Sequence, residues 1–191
     1  GSQTGTAEGL ARKLTKHLKA NGFEPVLNSL EGYVPVTLAA EKHAVFIVST
    51  YGEGEAPDTA QAFFQQLCVE HFPLLGNVSY AILALGDSHY EHFCQFGKDL
   101  DAKLHALGAT RLLDRVDCDV EVDAPYAAWK AAVNGRLRES ATGSASQTTT
   151  AEEGSATGPE KPTTPAKAAM HVSRENPYSA QIVEKRALTA S

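Results

Sequence analysis

At 191 residues the chain has room for one domain and more, and an apolar content of 42% is enough for a sizeable core. A net charge of −6 argues against a nucleic-acid partner, because phosphates call for a basic footprint. No apolar run reaches membrane-spanning length and no signal peptide opens the sequence, so a cytoplasmic protein without membrane contact is expected. Cys68, Cys94 and Cys118 are an odd set without CxxC pairing. They read as free thiols in a reducing compartment rather than as a disulfide framework or a zinc site.

The opening stretch Gly1-Ser2-Gln3-Thr4-Gly5-Thr6-Ala7 runs into a helix expected over Ala7 to Ala20. Leu10, Ala11, Leu14 and Leu18 fall there at helical spacing, and Asn21-Gly22 follows as a stop signal. Phe23 to Leu30 reads as a short strand that Pro25 assigns to a sheet edge. Thr37 to Lys42 has room for a helical turn or two before Ala44-Val45-Phe46-Ile47-Val48, a buried strand. Asp58 is placed to cap a helix running through Glu70, with Gln61 three residues on as in a capping box. Phe63, Phe64, Leu67 and Cys68 would be its buried side. Ser79 to Leu85 is the next strand, and Gln95 to Leu107 a helix with Phe96, Leu100, Leu104 and Leu107 inward, ended by Gly108. Arg111 to Val116 is a further strand, and Val122 to Arg138 the last helix, with Trp129, Val133 and Leu137 inward. Strands alternating with amphipathic helices give an α/β fold, a doubly wound parallel sheet covered on both faces.

Three stretches at strand ends carry the chemistry. The loop Ser49-Thr50-Tyr51-Gly52-Glu53-Gly54-Glu55-Ala56-Pro57 follows the strand at Ala44, and Leu85-Gly86-Asp87-Ser88-His89-Tyr90-Glu91-His92-Phe93-Cys94 follows the next. In an open α/β sheet, ligands bind outside the carboxyl ends of the strands. The opening loop offers hydroxyls and backbone N–H groups at a helix N-terminus, so Ser2, Thr4 and Thr6 are placed to cradle a phosphate. It lacks GxxxxGK[ST] and GxGxxG, which argues against an NTPase and a dinucleotide site. Tyr51 and Tyr90 each sit just beyond a strand end, and two rings facing one crevice make a slot for a flat heterocycle. N–H groups around Gly52, Gly54 and Gly86 could bond its carbonyls and nitrogens. Glu53, Glu55, Asp87 and Glu91 would disfavour added negative charge on a reduced ring and so lower its potential.

Other groupings are weaker. His89 and His92 are spaced like metal ligands but lack a third, and Asp87, Ser88 and His89 are adjacent without a nucleophile elbow, so neither a metal site nor a catalytic residue is expected. Asp114, Asp117, Asp119, Glu121 and Asp123 form an acidic run, read as a solvated loop that also steers a basic partner.

Organisation along the chain follows from composition. Residues 1–139 form the expected domain, which by parallel-sheet logic needs a first strand upstream of Gly1. Residues 140–175, dominated by Ser, Thr, Ala, Gly, Pro and Glu, read as a flexible linker. Residues 176–191, beginning Asn176-Pro177-Tyr178, look like the opening of another domain.

On the three loops together with Gly97-Lys98-Asp99 and the run from Arg111 to Glu121, residues 1–139 resemble the flavodoxin-like FMN domain of the diflavin reductases. Within that family they are most similar to the flavoprotein alpha-component of assimilatory NADPH–sulfite reductase. The resemblance implies a fragment without the first strand and without most of the FAD- and NADPH-binding module, whose start resembles residues 176–191. It implies an oxidoreductase in which NADPH reduces FAD, FAD reduces FMN, and FMN passes electrons to a sirohaem and iron–sulfur hemoprotein (beta) subunit that reduces sulfite to sulfide. This chain would contribute only the FMN carrier, and the flavin rather than a side chain does the redox chemistry.

Matched motif by motif, Ser2, Gln3, Thr4, Gly5, Thr6 and Ala7 would hold the FMN phosphate. Ser49, Thr50, Tyr51 and Gly52 would wrap the isoalloxazine from one side, and Leu85, Gly86, Asp87, Ser88, His89, Tyr90, Glu91, His92, Phe93 and Cys94 from the other. A tether of the linker's kind would let the domain reach both its own reductase module and the hemoprotein at high effective concentration. Two alternatives stand beside this reading: the FMN domain of another diflavin reductase serving a cytochrome or oxygenase, and a flavin-free interaction module.

Overall fold

The computed structural model describes Gly1 and residues 5–143. A parallel sheet forms its centre. Strand β1 (His43–Ser49) pairs along its full length with β2 (Ser79–Leu85), in a register that sets Val45 opposite Ala81 and Ser49 opposite Leu85. The other edge of β2 is shared by two short strands, β3 (Thr110–Arg111) at its start and β4 (Val116–Cys118) at its end. Arg111 to Val116, expected as one strand, is therefore two pieces. Arg111, still paired with Tyr80, and Arg115, between the two strands, both send their side chains to the Asp101 carboxylate, and the chain leaves the ladder between β3 and β4.

Period-two alternation along β2 sorts the helices onto two faces. Tyr80, Ile82 and Ala84 point into one buried cluster, with Phe46 and Val48 of β1. There they meet Phe63 and Leu67 of α2 (Asp58–Leu67) and Phe96, Leu100 and Leu104 of α3 (Gln95–Ala106). Ala81, Leu83 and Leu85 point the opposite way, with Ile47. They pack on Leu10, Leu14 and Leu18 of α1 (Thr6–Ala20), and on Trp129, Val133 and Leu137 of α4 (Asp123–Gly143). Both sheet faces are dry, which is why β2 reads as an unbroken apolar run.

Helix ends follow local chemistry. α1 stops where the Asn21 side chain donates to the His17 carbonyl at 2.8 Å and Gly22 takes a left-handed φ of 86°. Gly108, with φ 88°, ends α3 in the same way. α2 departs from expectation: Pro57 is its N-cap residue with no side-chain cap bond, Asp58 lies in the first turn, and Gln61 donates instead to the Ala56 carbonyl at 3.5 Å. It ends at Leu67, three residues before Glu70, and Cys68 is exposed rather than buried. Thr37 to Lys42 contributes part of a 3₁₀ helix, Pro35–Ala40.

Phe23 to Leu30 is not a strand. Only Pro25 is a bridge residue there, its ring leaving no N–H to extend the pairing, and residues 27–30 stand off β1 across a groove of about 220 Å³ lined also by Ala7, Ala11, Val45 and Thr59. The backbone beside β1 there is Gly1, which donates to Ile47 and accepts from Ser49, each at 3.1 Å. α4 continues to Gly143, so the first four residues of the expected linker are helical. Residues 144–175 of that linker and 176–191 beyond it lie outside the described residues.

Candidate functional site

The carboxyl ends of β1 and β2 open side by side into a cavity of about 590 Å³. That is within the range of small-molecule and cofactor sites. One wall is the loop leaving β1. Thr50 N–H still donates to the Leu85 carbonyl at 3.0 Å, so the ladder carries one residue past the strand. Tyr51 and Glu55 then exchange backbone bonds of 3.0 and 2.9 Å, closing a tight ring with Gly52 and Gly54 at φ 55° and 116°. The Glu55 carboxylate accepts the Glu53 N–H at 3.0 Å. A Cβ on Gly52 would lie 2.6 Å from that carboxylate, so sequence and turn agree on glycine.

The opposite wall is the loop leaving β2. Gly86 N–H donates to the Cys118 carbonyl at 2.9 Å, tying this loop to β4. Asp87 accepts from His89 N–H at 2.9 Å and meets His89 Nδ1 at 2.7 Å. Ser88 donates through both its N–H and its hydroxyl to Asp119, which also takes Val120 N–H at 2.8 Å. The loop ends at Cys94, a non-glycine residue at φ 55°. Its thiol is buried against the Ala84 and Cys118 carbonyls, and burial, then the Asp117 charge, pushes its pKa up to about 12. Such a thiol packs and does not act as a nucleophile. The two walls meet where Phe96 N–H, at the start of α3, donates to the Thr50 hydroxyl at 3.2 Å.

Ser49, Thr50, Tyr51 and Gly52 line the cavity on the β1 side. Leu85, Gly86, Asp87, Tyr90, His92, Phe93 and Cys94 line it on the β2 side, and Thr6 reaches it from the start of α1. Tyr51 and Tyr90 are 53% and 64% exposed, and neither ring stacks on another among the described residues. The N–H groups of Gly52 and Asp87 have no partner among the described residues. Ser88, His89 and Glu91 lie in the same loop but do not line the cavity. Ala7 is buried under α1 and faces the groove beside β1 instead, because it points to the helix's core side. Gly5, at φ 80°, is the N-cap of α1, while Ser2, Gln3 and Thr4 lie outside the described residues.

Asp119, Val120 and Val122 also line the cavity, and the sequence reading did not assign them there. They follow β4, whose last residue is Cys118; ending that strand at Val116 hid the fact that a further strand-end loop begins at Asp119. The acidic run is also less bare than it reads, since Asp117 is bound by Arg115 and Asp119 by Ser88. Among the described residues no cluster of His, Cys, Asp and Glu is arranged to hold a metal. No helix among them is long and apolar enough to cross a membrane.

Comparison with known proteins places this architecture. Residues 1–129 match the family model described as Flavodoxin. The chain is 39% identical over 188 residues to the sulfite reductase [NADPH] flavoprotein alpha-component of Vibrio cholerae serotype O1, covering 98% of this chain and 29% of that protein. To its namesake in Bacillus subtilis it is 40% identical over 184 residues, covering 96% and 28%. The chain thus spans less than a third of the length of these relatives. Among solved structures it is similar to a flavodoxin from Pseudomonas aeruginosa, a cysteine-to-alanine variant, with a TM-score of 0.60 and 29% identity over 72% of this chain and 95% of that one. With the parallel sheet and its two helical layers, the family match establishes that this chain belongs to the flavodoxin family.

Proposed function

We propose that the cavity between the 49–55 and 85–94 loops binds FMN and that the chain serves as an electron carrier. One observation carries the reading: two exposed tyrosines and two N–H groups without a partner among the described residues, Gly52 and Asp87, belong to the lining of one cavity at the ends of parallel strands. The donor set fits a flat, amphipathic ring with carbonyl and nitrogen acceptors along its edge. The start of α1, with Thr6 at the cavity and Gly5 in a left-handed turn, suits the phosphate of such a ligand. Bound FMN supplies the redox chemistry.

This chain's residues bind and bias. Tyr51 and Tyr90 exclude water from the ring faces. Gly52 and Asp87 N–H orient its edge. The Asp87 and Asp119 carboxylates at the lining oppose added negative charge on the ring, which lowers its reduction potential.

In the wider setting, the likeness to sulfite reductase flavoproteins supports a route from NADPH through FAD to FMN and on to a hemoprotein subunit, in the cytoplasm. Residues 1–139 would be the FMN domain, 140–175 the tether and 176–191 the entry to the FAD- and NADPH-binding module.

Titration of FMN into the chain, followed by quenching of flavin fluorescence, tests the site. Tyr90→Ala and Tyr51→Ala should each weaken binding by about 1–3 kcal/mol, the usual worth of a ring stacked on an aromatic side chain. Unchanged affinity in both variants would count against this cavity as the flavin site.

A further inference from the structure

Beneath the cavity lies a charged cluster that the electron-carrier reading does not use. Asp101, on α3 and only 7% exposed, accepts from Tyr80 Oη at 2.6 Å and from Arg111 Nε and Nη2 at 2.8 and 3.0 Å. It also accepts from Arg115 Nη1 at 3.1 Å. The two arginines differ in what else they hold. Among the described residues the hydrogen bonds of the Arg111 side chain end at Asp101. Arg115 continues, with Nε and Nη2 on the Asp117 carboxylate at 2.7 and 3.1 Å.

Asp117 lies in β4, one residue before Cys118, and the Cys118 carbonyl holds Gly86 N–H at the cavity wall. At the other end of the guanidinium, α3 carries Phe96, whose N–H holds the Thr50 hydroxyl of the facing wall. The stem of Arg115 also runs beside the first turn of α3, its Cδ 3.7 Å from where a Cβ on Gly97 would sit.

We propose that Arg115 is a positioning residue for the cavity: by bridging Asp101 of α3 to Asp117 of β4 it fixes the spacing of the two elements that anchor Gly86 and Phe96. The inference rests on the flavin reading for its functional consequence, but its structural half stands apart. A planar guanidinium gripping two carboxylates, one of them bidentately, holds geometry as a lysine cannot.

The test compares Arg115→Met, Arg115→Lys and Arg111→Met in the full chain, by amide hydrogen exchange and by FMN affinity. Losing a charge-assisted bridge of this kind should speed exchange at Gly86 and Phe96 about tenfold relative to Leu83 in mid-β2, and weaken FMN about tenfold. Arg115→Lys should recover part of both. Arg111→Met loses the same carboxylate without touching β4, so it should lower the melting temperature yet leave the Gly86 and Phe96 exchange ratios and FMN affinity near those of the parent.

Equal effects of Arg111→Met and Arg115→Met would overturn the proposal and leave Arg115 a stabilising residue only. If Arg115→Met does not fold, Arg115→Lys against Arg111→Lys decides by the same ratios. Failure of the parent chain to bind FMN would sink the flavin reading, while the exchange ratios would still decide the bridge.

Discussion

Asp87 and His89 face each other at the rim of the cavity, and each shifts the other's titration. Backbone and side-chain bonds from His89 hold the Asp87 carboxyl below its ordinary range, and the Asp87 bond and charge raise His89 above its ordinary 6.5. The Asp87 contribution is present above the carboxyl's unfolded pKa and is lost as pH falls through its depressed folded value. The His89 contribution is full below its unfolded pKa and is lost as pH rises through its raised folded value. The turn that presents Tyr90 is therefore best closed between those limits. An NMR titration should find the His89 midpoint above 6.5 in the parent and lower in Asp87→Asn; an unmoved midpoint in the variant would show the pair to be unimportant. Both groups are exposed, so the effect belongs to loop geometry more than to global stability. The sequence showed Asp87 beside His89 and made them a weak constellation; which atoms meet depends on loop dihedrals that no residue pattern states.

At the scale of elements, α3 decides the shape of the site. It lies so close to β2 that a Cβ on Gly97 would collide with the Ala84 side chain, and Ala84 is one residue before the end of β2. Gly97→Ala should cost about 1–3 kcal/mol, the range for overpacking a filled core. It should also loosen FMN by pushing the Phe96 end of the helix outward; thermal melts and affinity together check this, and a neutral outcome in both would mean that α3 has slack. Most of this layer was legible. Leu100 and Leu104 at helical spacing and Gly108 as a stop set α3 within a residue of its observed end. Trp129, Val133 and Leu137 did the same for the core face of α4. What failed were the segments whose state depends on distant partners. Phe23 to Leu30 has strand-like residues but pairs only at a single bridge residue, Pro25, and the residues between β3 and β4 leave the ladder where Arg111 and Arg115 bond an Asp on another element. Local propensity carries no information about either.

For the molecule as a whole, an open parallel sheet places every strand-end loop on one edge, and that edge is where the exposed tyrosines and the carboxylates collect. The loops after β1 and β2 could be matched in the sequence because each follows an apolar run and breaks with glycine, and the opening loop because its hydroxyls and glycine run into a helix. The lining residues Asp119, Val120 and Val122 were missed because β4 is only three residues long and offers no such run. The central claim is that this edge binds FMN in one place. The most direct measurement is a two-dimensional amide NMR titration of the chain with FMN carried to millimolar concentration, where even weak binding registers. Saturable shifts concentrated at Gly52, Asp87 and Tyr90, with the mid-sheet amides of β2 unmoved, are the predicted result. Silence at those amides, or shifts centred on the groove beside β1, would contradict it.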